Sequence, residues 1–135
     1  MNYIAVADLI GITMASVEQQ DDERINFTSN DGRMFVMYHS QDCCESVYIE
    51  SIVGNLQDLV GEPILRAEEV THEGSNPEGV DVPEWQDDSY TWTFYKFATR
   101  KGYVDIRWYG ESNGYYSESV DLYEIAAEAP NTAGA

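Results

Sequence analysis

The sequence is poor in cations and nearly devoid of cysteine. Its 135 residues hold 7 Lys and Arg against 25 Asp and Glu, a formal net charge of −18. That shortage excludes an ordinary nucleic-acid binder, because neutralising phosphates takes cations that this chain does not have. Anionic lipid head groups would repel the same surface. No run approaches the ~18 apolar residues of a membrane-spanning helix, and the N-terminus lacks a basic stretch followed by an apolar one. A cytoplasmic location is expected. The two cysteines, Cys43 and Cys44, are adjacent. A bridge between neighbours closes a small ring far from ordinary disulfide geometry, so both read as free thiols. A phosphate-cradling glycine loop, a Gly-x-Ser-x-Gly elbow and a His-Glu-x-x-His helix are also lacking. The expectation is a protein that is not an enzyme and needs no cofactor.

What is present argues for a folded domain. The chain is 43% hydrophobic and 13% aromatic, too rich for a disordered acidic segment. Its length predicts a single β-rich domain over residues 1–125 and a flexible tail over residues 126–135.

A turn pattern recurs three times, as Asn30-Asp31-Gly32, Arg100-Lys101-Gly102 and Ser112-Asn113-Gly114. Three-residue hairpin loops end in a left-handed residue that glycine occupies freely. Counting outward from such loops pairs Phe27 with Phe35 and Ile25 with Met37. The second turn pairs Phe94 with Trp108 and Ala98 with Val104. The third pairs Ile106 with Val120 and Val104 with Leu122, apolar against apolar as a half-buried sheet requires. Further strands are predicted around residues 9–17, 45–53 and 63–71. Asn55 can cap a short helix that Gly61 stops. The Gly-, Pro- and acid-rich stretch 72–89 reads as a loop. The predicted fold is mainly β: an antiparallel sandwich or partly open barrel of about 7–8 strands. It has at most one short helix and closes with a three-stranded meander over residues 90–125.

That meander register sorts residues onto two faces. Trp92, Phe94, Ala98, Val104, Ile106, Trp108, Val120 and Leu122 form the expected core face. Tyr95, Phe97, Tyr103, Arg107, Tyr109, Tyr115 and Tyr123 share the other, either packed under the N-terminal strands or offered to a partner.

The segment His39-Ser-Gln-Asp-Cys-Cys-Glu45 concentrates groups that could bind a metal or a small ligand, or form a thiol nucleophile with a nearby base. Adjacent cysteines on a strand point to opposite faces, however, which is poor spacing for one ion. A structural role is favoured, and no metal is assigned. Glu45 and Glu50 differ in parity, Glu118 falls opposite Trp108, and Glu111 flanks the same hairpin. All four read as ordinary solvated acids rather than a catalytic pair.

The distribution of acid is more informative. Residues 62–88 hold Glu62, Glu68, Glu69, Glu73, Glu78, Asp81, Glu84, Asp87 and Asp88 against the single base Arg66. Solubility needs a net charge of only about 2–8 on a small domain, and a larger excess costs self-repulsion. Excess acid points to a basic partner held by steering and ion pairing, with plain surface solvation or divalent-cation binding as the alternatives. Acids two apart on a strand lie about 6.7 Å apart, near the step between successive phosphates, so an acidic sheet can imitate a nucleic-acid strand. The candidate partner-binding residues are Glu68, Glu69, Glu73, Glu78, Asp81, Glu84, Asp87 and Asp88, with Tyr109, Tyr115 and Tyr116 as anchors.

Three blocks carry a family likeness: Met37-Tyr-His-Ser-Gln-Asp-Cys-Cys-Glu-Ser-Val-Tyr-Ile-Glu50, Asp58-Leu-Val-Gly-Glu-Pro-Ile-Leu65 and Arg107-Trp-Tyr-Gly-Glu-Ser-Asn-Gly-Tyr-Tyr-Ser-Glu118. Through them the chain resembles a family of small uncharacterised proteins from phages and bacterial mobile elements. In charge and size it is also similar to DNA-mimic anti-CRISPR and antirestriction proteins. The resemblance implies a phage inhibitor of a host defence system, acting in the host cytoplasm on the basic cleft of a CRISPR effector or restriction enzyme. The alternatives are a small-ligand or metal-binding module at His39, Cys43, Cys44 and Glu45, or a phage structural protein that uses its tyrosine face.

Overall fold

The computed structural model describes residues 2–125. The tail expected over residues 126–135 lies outside them. Nine strands are present among the described residues: β1 (Asn2–Ile4), β2 (Met14–Gln20), β3 (Arg24–Ser29), β4 (Met34–Tyr38), β5 (Ser46–Val53), β6 (Arg66–Glu73), β7 (Ser89–Thr99), β8 (Gly102–Ser112) and β9 (Asp121–Ile125). They form two antiparallel sheets, one ordered β1-β9-β4-β3-β2 and the other β5-β8-β7-β6. The fold is mainly β, as composition and turns predict, and of the two expected architectures it is the two-sheet sandwich.

Asn55 does cap: its side chain accepts a hydrogen bond from the Gln57 amide at 2.9 Å. The expected helix is a single 3₁₀ turn, Leu56–Leu59, and a second such turn at Val6–Leu9 was not foreseen. Among the described residues no helix is long and apolar enough to cross a membrane.

The core lies between the sheets. Phe27 and Phe35 face it from β3 and β4, and Phe97, Ile106 and Trp108 from β7 and β8. The Phe27 and Phe97 rings sit 6.0 Å apart across the gap, and Trp108 Nε1 donates to Met37 Sδ at 3.4 Å. Each of these fully buried side chains stabilises the sandwich by roughly 1.5–3 kcal/mol.

The first hairpin has the predicted register, with Phe27 opposite Phe35 and Ile25 opposite Met37. The second is shifted by one. Thr99 pairs with Gly102 around a two-residue loop, so Phe97 faces Val104 and Phe94 faces Arg107. Thr99 fixes this register through its hydroxyl, which donates to Asp58 O and accepts from the Lys101 amide. A one-residue slip exchanges the faces of a strand. Tyr95 and Phe97 are therefore core residues, while Trp92 and Phe94 point outward. Both faces of β7 carry large apolar side chains, so apolar matching alone could not separate the two registers.

The third predicted hairpin does not form. β8 pairs with β5 instead, and β9 lies in the opposite sheet between β1 and β4. The connection crosses the inner face of β8 at Gly110, where an added Cβ would lie 2.8 Å from Glu118 O and 3.1 Å from Val47 Cγ2. A side chain there would block the crossing. Val120 and Leu122 do meet the Ile106 core, but from across the sandwich rather than from the next strand.

Candidate partner-binding face

β6 is an edge strand, paired only with β7. Its side chains alternate, so Glu69, Thr71 and Glu73 share the side of buried Ala67, and Glu68 faces away. Glu68 is engaged by Arg66 at 2.9 Å, and Glu62 by Arg100 at 3.6 Å. Burial pushes the Glu69 carboxyl above its ordinary value; the Tyr95 hydroxyl opposes this and the Asp121 charge adds to it.

Residues 74–88 fold over the outer face of β7 and β8 and are stapled there by side chains. Asn76 and Gln86 exchange hydrogen bonds at 2.9 and 3.2 Å. Trp92 Nε1 donates to Asn76 Oδ1 at 2.9 Å, and Gln86 donates to the Tyr109 hydroxyl at 3.2 Å. Beneath this cover Trp92 and Tyr109 pack with ring centroids 4.6 Å apart. The staples leave Glu78, Asp81, Glu84, Asp87 and Asp88 exposed. None of these five, nor Glu69 or Glu73, has a Lys or Arg partner among the described residues.

Three expectations need correction. Tyr109 is only 1% exposed, so it anchors the loop from below and cannot reach a partner. Burial raises its pKa above the ordinary value, and the adjacent Glu111 carboxyl adds to the rise against the opposing Gln86 contact. The phosphate-like step is also missing from β6, where the acids stand one and four residues apart rather than two. Finally, the tyrosine face is divided: Tyr95 and Tyr109 are buried, and Tyr103 and Tyr115 are exposed.

Of the remaining anchors, Tyr115 is 88% exposed at the tip after β8, and Tyr116 is half-buried. Trp85, at 85% exposed within the acidic loop, was missed by the sequence reading. Its signal was its setting, a large aromatic in Glu84-Trp85-Gln86-Asp87-Asp88 with no apolar periodicity around it. Trp is the residue type most enriched at interface hot spots, together with Tyr and Arg.

The His39 to Glu45 segment is consumed by its own structure. Glu45 is buried, not solvated. Its carboxylate accepts from the Asp42 amide at 2.8 Å, the Cys43 amide at 2.9 Å and His39 Nε2 at 2.7 Å. It is hidden by its own turn rather than by depth in the core. Desolvation acts to raise its pKa, but the Cys43 and Asp42 amides and the His39 ring outweigh that and hold it at about 2. Cys43 and Cys44, expected as free thiols, are joined in a disulfide. The atoms a metal would need are thus already engaged. Glu118, also expected in solvent, is buried and accepts from the Thr91 and Ser112 hydroxyls at 2.8 and 2.5 Å.

No curated protein and no solved structure matches the chain. One family model does, over residues 7–122, a span that runs from the first 3₁₀ turn into β9. The chain therefore belongs to the family described as a domain of unknown function, DUF7448.

Proposed function

We propose that this domain acts by binding rather than catalysis, docking its acidic loop and edge strand onto the basic nucleic-acid surface of another protein. The observation that carries this reading is the stapled 74–88 loop, which holds five exposed carboxylates without a Lys or Arg partner among the described residues, around an exposed Trp85. Charge supplies steering and Trp85 supplies a desolvating anchor, the two components of a fast and specific protein interface. The resemblance to phage proteins makes host defence complexes, CRISPR effectors or restriction enzymes, the partner class. Since β6 lacks the two-residue acid step, the imitation of nucleic acid is one of charge density on the loop, not a phosphate ladder on a strand.

The test is capture from bacterial lysate on the tagged domain, with stepwise salt elution and duplex DNA as competitor. A nucleic-acid-handling complex should be retained at low salt, leave at moderate salt and be displaced by DNA. Glu78→Lys, Glu84→Lys and Asp88→Lys together should abolish that capture without unfolding the domain. Unchanged capture by the folded triple variant, or no retained macromolecule at all, sinks the reading.

A further inference from the structure

Beyond Tyr95 the inner face of β6 and β7 is fronted by the connection between β8 and β9. Its residues turn polar there, and a cleft of about 500 Å³ opens between them and residues 116–120. That volume lies in the range of small-ligand sites. Glu69 and Glu73 line it from β6, and residues 116–120 line it from the facing segment, where the Glu118 carboxylate is already taken up by the Thr91 and Ser112 hydroxyls. Among the described residues, no Lys, Arg or His lines it. At its floor is Thr93, only 3% exposed and without a side-chain hydrogen bond among the described residues. Every fully enclosed side-chain polar atom described has a partner, so the Thr93 hydroxyl must open onto the cleft.

We propose that this cleft binds an extended organic cation, a flexible chain carrying two or more ammonium or guanidinium groups. The Glu69 and Glu73 carboxyl groups, with no lining cation among the described residues, disfavour an anion, and hydroxyl-rich walls disfavour an apolar guest. A single divalent ion is a poor fit, because among the described residues no three acidic, His or Cys groups are close enough to share one. Glu69 and Glu73 stand four residues apart on one strand face, about 13 Å, a separation that needs two positive groups joined by a chain. The Thr93 hydroxyl at the floor can accept from an N–H of such a cation. A free polyamine and a basic peptide segment share this chemistry.

This site is separable from the acidic-loop reading, because its test leaves Glu78, Asp81, Glu84, Asp87 and Asp88 in place. Calorimetric titration at moderate salt compares spermine, a tri-arginine peptide and Mg²⁺ on three proteins. These are the unaltered chain, Glu69→Gln with Glu73→Gln, and a control that removes the same charge elsewhere, Glu18→Gln with Glu23→Gln. At least one organic cation should bind with one-to-one stoichiometry. The cleft variant should weaken it about tenfold or more, the loss of one charge-assisted contact, and the control should change it less than about twofold. Thr93→Val, which preserves shape, should weaken it severalfold. Tighter spermine assigns a free polyamine; tighter peptide assigns a basic segment of a partner. Absence of saturable binding, equal loss in the cleft and control variants, or displacement by Mg²⁺ at matched ionic strength overturns the proposal.

Discussion

His39 and Glu45 form a staple, Nε2 to Oε2 at 2.7 Å, while the other ring nitrogen lies 2.7 Å from the Ser119 carbonyl. The staple ties the β4–β5 connection to the β8–β9 connection, the two passages between sheets at this end of the sandwich.

Acid should loosen the domain through this staple. A carboxyl held at about 2 in the folded state, against 4.5 ordinarily, contributes stability that is present above pH 4.5 and lost as pH falls towards 2. Urea midpoints measured across that window should fall more steeply for the unaltered chain than for Glu45→Gln. Parallel curves would show that the staple carries no pH-linked stability.

The β7–β8 register has a direct mutational signature. Phe97 is fully buried and Phe94 half-buried. Phe97→Ala should cost about 3–5 kcal/mol and Phe94→Ala clearly less, by chemical denaturation. The reverse order would restore the three-residue loop.

The crossing at Gly110 tolerates no side chain. Gly110→Ala places a Cβ 2.8 Å from Glu118 O and should destabilise by about 1–3 kcal/mol. Gly114→Ala meets nothing within 4 Å but carries a φ of 97°, so its cost should be the smaller one of a strained left-handed residue. Thermal melts of the two variants order them.

Trp85 is the exposed member of the three tryptophans, since Trp92 and Trp108 are buried. Acrylamide should quench one fraction of the tryptophan emission readily, and Trp85→Phe should remove that fraction with no loss of stability. Retention of the quenchable fraction in Trp85→Phe would mean that the 74–88 cover is open in solution.

Cys43 and Cys44 are exposed, and the Cys43 contribution to the Glu45 site comes from its backbone amide. Replacing both by Ser should therefore leave the His39–Glu45 contact intact, read as unchanged histidine ring resonances by NMR.

Local chemistry was legible wherever neighbours in sequence decide it. The Asn30-Asp31-Gly32 turn set the β3–β4 register because β3 is apolar on one face only, that of Ile25 and Phe27. Asn55 declared its cap, the 72–89 composition declared a loop, and the strand-like runs with glycine turns declared a β sandwich. The excess of acid over base was likewise a property of the chain alone. Tertiary structure decided what depends on which sheet a strand joins. Apolar matching of Ile106 with Val120 is satisfied equally by a neighbour in the sheet and by a residue across the core, and only the open face at Gly110 admits the second. The burial of Tyr109 and Glu118, the enclosure of Glu45 by its own turn and the exposure of Trp85 arise from segments distant in sequence folding over one another. Residue type alone carries no record of what will cover it.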